Sequence, residues 1–567
     1  MKGLFTWIVA TPFLYYFFSL TFLAIFASLA IRCRGDSAPR NWKSEWLFLA
    51  VAGLMILIWR CPALIWPQAI NTDEGQWAAC GLKASVDLAP WRGFDGTTSG
   101  PLNSDILAIP ALFGASITFF STRLIGSGLL IGSIFGLYFM SKWTHGACIA
   151  RLSVVPGVTF LALTGDWDFL HYSSEYLPVF LTTTGIAAAV YLGTAGRKQS
   201  LRLMACAIAG LCLGSAAFAK LQSLPIAFAA VAFMALTLFS ARDISPRQRR
   251  REAGMTLAAL SIAPGWIGLS LWVTGLWNDA IISYIKSAVV HVSSGKTVGF
   301  NFFMGTTLMY PSFVLSSFLV ILAGAIVLRG RWNFSGSTTR LAAGAFAFLL
   351  VSLFVIVAPR HPYPHYLLFS IVPLSYCTAT VVSLTRAADL WRGRDLALRT
   401  AIVAVFVIPA LSLTMASPSA FLGITRTLMT ASSPELGFST LAPLRSNAAQ
   451  VFAIKHHAPP GSRISIWGWM PQFYVLSQTI MATRDAHTKP QLTPGPYREY
   501  FRERYLSDLQ ASHPLVFVDA VAPASFGYND RAADGMETFP ALASFIHEHY
   551  ELKAEMEGVR VFVANEH

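Results

Sequence analysis

The sequence predicts a polytopic α-helical membrane protein of about twelve spans, followed by a C-terminal soluble α/β domain. Three observations carry this. The 567 residues are 54% hydrophobic and only 13% charged, and the mean hydropathy is +0.53, which is far from the composition of a water-soluble chain. Apolar runs of about the 20 residues that a bilayer core requires recur down to residue 416. Beyond 417 the pattern changes to short β-branched runs alternating with segments of helical spacing.

The first run, Leu4 to Ile31, is longer than a signal-peptide core and is followed by Arg32, Arg34, Arg40 and Lys43. Arg32 ahead of Cys33 does not suit a lipoprotein signal, so a retained span with its N-terminus outside is expected. Further spans are expected near 46–66, 122–141, 148–165, 176–194, 203–219, 223–240, 254–275, 307–328, 341–358, 365–385 and 400–416. Lys142 and Arg151, Arg197 to Arg202, Arg242 to Arg251, Arg329 to Arg340 and Arg386 to Arg399 then share one face. The positive-inside rule makes that face cytoplasmic. Ile106 to Phe120 is apolar enough for a short crossing, but a crossing there would place Arg247 to Arg251 outside. It is read as an interfacial or re-entrant helix within a first outer loop of about 67–121. The net charge of +13 belongs to the cytoplasmic loops, since acids such as Glu499, Glu503, Asp508 and Asp519 gather after 417. The basic excess therefore implies a membrane and no nucleic acid. None of the seven cysteines lies in the C-terminal section and no C-x-x-C spacing occurs, which excludes a disulfide framework.

Residues 1–416 thus form a transmembrane domain and 417–567 an extracytoplasmic one. In the latter, Arg463–Trp467, Leu515–Asp519 and Val559–Val563 read as buried strands, with helices over Tyr497–Leu509 and Phe539–Tyr550. Gly, Pro, Ser and Thr near 416–440 mark a linker.

The chemistry-bearing residues fall on the expected outer face. Asn71-Thr72-Asp73-Glu74-Gly75-Gln76-Trp77 directly follows the run Trp46–Trp66, in which Arg60 and Trp66 suit a bilayer interface. Two readings of Asp73 and Glu74 stand side by side. A carboxylate there can take a proton from a hydroxyl while a lipid-linked substrate lies in the adjacent leaflet. Equally, Thr72 followed by two acids suits the start of a helix. A hydroxyl- and glycine-rich loop, Gly96 to Asn103, comes next. Asp166, Asp168, His171 and Glu175 follow a later outward span; on a helix the last three would share a face. Lys220 and Gln222 stand at the next outer junction, where Lys220 either reaches an anion or simply snorkels. The turn Arg360-His361-Pro362-Tyr363-Pro364-His365-Tyr366 has the four-residue histidine spacing of a helical zinc pair. Its prolines forbid that helix, so no metal site is expected there. A proline-stiffened turn presenting Arg and imidazoles suits a phosphate instead.

An acidic pair after an early span, a loop with Gly100-Pro101-Leu102, and an apolar segment ending in Arg123-Leu124 together resemble the first outer loop of GT-C glycosyltransferases. The similarity is to the bacterial protein-mannosyltransferase-like and aminoarabinose-transferase-like members. The family pattern commonly has Pro-Pro-Leu where this chain has Gly-Pro-Leu. The His365-Tyr366 pair opening a span with Pro373 in its first turns, and Trp467-Gly468-Trp469, add to the resemblance. It implies a GT-C-like transmembrane domain and a polyprenyl-phosphate sugar donor. It further implies Asp73 as catalytic base, with Glu74 beside it, and a second acidic site at Asp166, Asp168, His171 and Glu175. The donor phosphate and sugar would be held by Lys220, Gln222, Arg360, His361, His365 and Tyr366. The implied reaction is inverting transfer of a sugar to an acceptor hydroxyl on a lipid-linked glycan, lipid or protein, at the outer face of a bacterial inner membrane. Fixed cations could make a divalent metal unnecessary, although some members of the family use one, so no cofactor is expected and a divalent metal stays the alternative. A glycan polymerase or ligase using an undecaprenyl-diphosphate donor is the nearer alternative. A secondary transporter fits less well, because the spans lack the ionisable residues near the midplane that transport uses.

Overall fold

A computed structural model describes residues 11–32, 42–194, 198–240, 244–295, 310, 312–329, 336–388, 390, 393–416 and 447–565. Among these, nine helices are long and apolar enough to cross a membrane, and three shorter apolar helices, Ala147–Leu163, Tyr176–Leu192 and Val314–Leu328, stand between them. Their positions follow the apolar runs of the sequence, and the chain is a polytopic membrane protein. Burial ranks them: Pro364–Ala387 is 94% buried and lies at the centre, whereas Phe13–Ile31 is 28% buried and lies at the periphery. The central helix opens with a 3-10 turn, Pro364–Ser370, where Pro364 removes the donor that a regular first turn would tolerate losing.

Two sequence expectations are refined here. The Ile106–Phe120 stretch is no crossing; it forms the short helices Leu102–Leu107 and Ile109–Leu112, with Leu112 and Phe113 about four-fifths exposed at 79% and 82%. An apolar corner of this kind suits an interfacial position. Arg60, expected at a bilayer interface, is instead buried inside the helix Trp42–Ile65. Its guanidinium donates to the carbonyls of Leu161, Phe169 and Leu170 and to the Tyr176 hydroxyl.

The C-terminal region carries a five-stranded mixed sheet in the order β2-β1-β3-β5-β4. The strands are β1 Arg463–Trp467, β2 Ile480–Met481, β3 Val516–Asp519, β4 Tyr550–Met556 and β5 Val559–Ala564. β1 runs parallel to β2 and β3, while β5 is antiparallel to both β3 and β4. Helices Arg498–Ser512 and Pro540–His549 occupy the expected segments. The sequence hid β2, only two residues long, and β4, whose exposed Glu551, Leu552 and Lys553 lack a buried-strand pattern. The 416–440 linker lies almost wholly outside the described residues.

One sheet face is covered by the segment of about 67–121 that follows the helix Trp42–Ile65. Ile464, Ile466, Val516 and Val518 share a core with Ala79, Cys80 and Ala84 of the helix Thr72–Ala84. Contact is close because Gly75 has no side chain: a Cβ there would lie 2.8 Å from the Gln472 backbone nitrogen. Lys83 Nζ donates to the Met481 carbonyl at 2.8 Å. Arg504 bridges Asp95 and Asp485 at 2.8 and 2.6 Å, and Arg484 joins Asp508 and Asp279 at 2.8 and 3.0 Å. The soluble region is thereby fixed onto the loop that carries Asp73.

Candidate active site

Asn71 starts the helix Thr72–Ala84 as its N-cap, its side-chain oxygen accepting the Asp73 N–H at 3.0 Å. This cap fixes the Asn71 amide, so its Nδ2 donates to His171 Nε2 at 3.2 Å. His171 Nδ1 donates to the Tyr172 carbonyl, 2.6 Å away, and its Nε2 lies 3.6 Å from Asp168 Oδ1.

Asp73 and Glu74 separate at once. Glu74 is fully buried and receives Arg123 in a two-bond fork, Nε to Oε1 at 2.8 Å and Nη2 to Oε2 at 2.6 Å. Backbone N–H groups of Ile70 and Tyr172 complete its acceptors at 3.1 Å each. A carboxylate so engaged orients the loop and has no lone pair to spare for a substrate proton. Asp73 is half-buried, and among the described residues no hydrogen bond or ion pair reaches its carboxylate.

The second acidic segment does not form the helix on which Asp168, His171 and Glu175 would share a face. Only Trp167–Leu170 is helical, capped by Asp166, and His171 is extended. The side chains are gathered instead by a partner distant in sequence. His365 donates both its backbone N–H and Nδ1 to Asp168 Oδ2, at 2.9 and 3.0 Å, while its Nε2 lies 3.8 Å from Glu175. Burial alone would raise the Asp168 carboxyl; the imidazoles of His171 and His365 overcome that and hold it well below the usual carboxylate range. Glu175, wholly buried, would likewise be raised by burial, but the Lys220 ammonium, His365 and the Ser173 hydroxyl bring it to about 2. Lys220 pairs with Glu175, donates to Ser174 Oγ at 2.9 Å and stands 5.2 Å over the Tyr366 ring. Asp166 accepts from the Tyr310 hydroxyl, and burial raises its carboxyl.

The loop Gly96–Asn103 sets Lys220 in place. Ser99 pairs with Lys220 in an isolated antiparallel bridge, and Gly100 N–H donates to the Ala219 carbonyl at 2.9 Å. A Cβ at Gly100 would meet the Phe218 oxygen at 1.9 Å. Gln222 is committed elsewhere, its amide donating to the Val355 carbonyl at 2.7 Å.

From His365 a column of parallel rings runs outward. Tyr363 stacks 5.5 Å from His365, His361 5.4 Å from Tyr363, and His291 3.9 Å from His361. His361 Nε2 donates to the His291 carbonyl at 2.8 Å. Burial, then His361, Lys489 and Lys220, push the His291 imidazole down to about 3, so it stays uncharged. Arg360 is exposed at the rim with φ of +58°, a strained conformation for a side-chain-bearing residue. Among the described residues its guanidinium has no ion-pair partner.

Asp168, His171, Glu175, Lys220, His365 and Tyr366 therefore form one network, linked to the Asp73 backbone through Asn71. Among the described residues, no three His, Cys, Asp or Glu side chains converge as a metal-binding set. Sequence reasoning missed Asn71, Arg60, Arg123, His291 and Lys489. Arg123 was legible as the end of the apolar segment, but its partner lies 49 residues away. An arginine with no charged neighbour inside the apolar run Trp46–Trp66 was the available signal for Arg60.

No protein-family model matches the sequence, and no curated protein is significantly similar to it. Solved structures are similar in fold. ArnT from Cupriavidus metallidurans bound to undecaprenyl phosphate superposes with a TM-score of 0.55 at 13% identity, over 93% of this chain and 100% of that one. The same protein in the apo state gives 0.56 at 12% identity over the same shares. The chain has the GT-C fold.

Proposed function

We propose that this GT-C-fold chain is an integral-membrane inverting glycosyltransferase that moves a sugar from a polyprenyl-phosphate carrier to an acceptor hydroxyl. The observation that carries the reading is the contrast at one helix start: Glu74 is saturated by Arg123 and two backbone donors, while among the described residues the Asp73 carboxylate is unpaired beside the network. The undecaprenyl phosphate bound by the similarly folded ArnT supports the donor class.

Asp73 accepts the hydroxyl proton as the acceptor oxygen bonds to the anomeric carbon from the face opposite the phosphate. The bond from that carbon to the phosphate oxygen breaks, and its electron pair leaves with the polyprenyl phosphate. The network of Asp168, Glu175, Lys220 and His365 shapes the floor on which the donor rests, and Arg360 faces its phosphate at the rim. Tyr363, 38% exposed in the ring column, offers a flat face to a sugar ring. Positive-inside sidedness puts this cleft at the outer face of the membrane, a bacterial inner membrane in this reading.

The reading is tested with purified protein, a polyprenyl-phosphate sugar, a polyprenyl-diphosphate glycan and a membrane acceptor extract. Transfer from the monophosphate donor with inverted anomeric configuration, unaffected by chelator, is expected. Transfer from the diphosphate donor alone would make the chain a polymerase or ligase.

A further inference from the structure

Among the described residues, the floor of the cleft holds no surplus positive charge. Asp168 meets the imidazoles of His171 and His365, and Glu175 meets the Lys220 ammonium and His365, so the two carboxylates there absorb the local cations. A phosphate that leaves with an extra electron pair needs positive charge that no carboxylate already holds. Arg360 is exposed, where screening weakens its pull.

The sheet region supplies another cation. Lys489 opens the short helix Lys489–Leu492. It is only partly exposed, and its Nζ stands 5.1 Å above the Trp469 ring. Among the described residues, no carboxylate lies within ion-pair distance of this ammonium and no acceptor takes a hydrogen bond from it. The charged group acting on it is Asp73, which opposes the effect of burial. The imidazoles it faces, His291 and His487, are both held neutral, at about 3, chiefly by their own burial. Trp469, under this ammonium, lies three residues before Gln472, whose backbone meets Gly75 of the helix that carries Asp73; a partly buried ammonium with no close anion among the described residues is costly unless an anion arrives.

Its position is built, not incidental. Thr488 Oγ1 accepts the Gly468 N–H at 2.7 Å, and the Lys489 N–H donates to His487 Nδ1 at 3.2 Å. Trp469 lies against His487 at 4.6 Å and Phe526 at 5.1 Å. The segment just before is tied to the first outer loop, with Asp95 N–H donating to the Arg484 carbonyl at 2.8 Å and Arg504 holding Asp95 and Asp485.

We infer that the C-terminal domain completes the active site by delivering Lys489 to the phosphate of the lipid-linked donor. This rests on the glycosyltransferase reading above. As the carbon–oxygen bond to the sugar breaks, the ammonium meets the charge growing on the phosphate oxygens and keeps its own proton. The domain is then a part of the catalytic cleft and not an appended module.

Full-length protein in detergent tests this with a short-chain prenyl phosphate, inorganic phosphate and the matching uncharged prenol as probes. Lys489→Met keeps the stem over Trp469 and removes the charge. It should weaken prenyl phosphate binding by about 10–100-fold, the loss expected for a charge-assisted hydrogen bond, and leave prenol binding unchanged. Lys489→Arg should restore part of the affinity. Inorganic phosphate should compete weakly in wild type; competition as strong as that of the prenyl phosphate would show a free-phosphate site and overturn a lipid-linked ligand. As a readout on unaltered protein, prenyl phosphate should protect Lys489 from acetylation, located by mass spectrometry, and prenol should not. Undiminished phosphate binding by the Met variant, or equal labelling with and without prenyl phosphate, would overturn the inference while leaving Asp73 chemistry intact. If wild type binds no prenyl phosphate at all, the glycosyltransferase reading falls first.

Discussion

At the start of the helix Thr72–Ala84 two adjacent carboxylates part company: Glu74 is locked to Arg123, and Asp73 has no partner among the described residues. In the segment 166–175 the opposite holds, and each acid is matched, Asp166 by Tyr310, Asp168 by His365, and Glu175 by Lys220. The first region keeps one reactive group by using its neighbour as an anchor. The second spends all its charge on shape. Both are acids in loops between apolar helices, so what separates a candidate base from a scaffold is whether a distant partner reaches it.

That contrast can be broken most sharply at Arg123. Replacing it with Met leaves Glu74 buried without its counter-charge and should cost about 3–5 kcal/mol of stability, read as thermal unfolding in detergent. The double variant with Glu74→Gln should lose less than Arg123→Met alone, because no bare charge remains. Acid comes next. Glu175 is held at about 2 against its ordinary 4.5, so its depressed value stabilises the fold fully above 4.5 and this is lost as pH falls toward 2. Unfolding measured across that window should show the loss, and Glu175→Gln should flatten it while lowering stability near neutrality. Gly100→Ala should cost about 1–3 kcal/mol, since its Cβ has only backbone to displace. The same variant should lower transfer by moving Lys220. Smallest is Arg360→Gly, which relieves a left-handed backbone. Stability should hold or rise by up to about 1 kcal/mol, and prenyl phosphate affinity should fall.

Much of the architecture was legible because a bilayer imposes a length on each apolar run, and the α/β alternation past 417 was equally plain. The site was legible only in outline. Asp73 and the segment 166–175 could be picked out by composition and place, but the roles of Glu74, Asp168 and Glu175 depend on Arg123, His365 and Lys220, which lie 49, 197 and 45 residues away. Helical spacing could not reveal those pairings, and the chain at His171 is extended, so the shared face that a helix would have given does not form. Lys489 had no signal in the sequence. It opens a four-residue helix of the sheet region, over Trp469, and only the packing of that region against the loop of Asp73 brings the two parts together.

The central claim is that Asp73 does chemistry while Glu74 holds the fold, and Asp73→Asn tests it most directly. Measured with a polyprenyl-phosphate sugar and acceptor, transfer should fall by about 10²–10⁴-fold. Unfolding should shift by no more than about 0.5 kcal/mol, and prenyl phosphate binding should be retained. Turnover by the Asn variant at the wild-type rate would contradict the account and return Asp73 to the role of a helix-start residue.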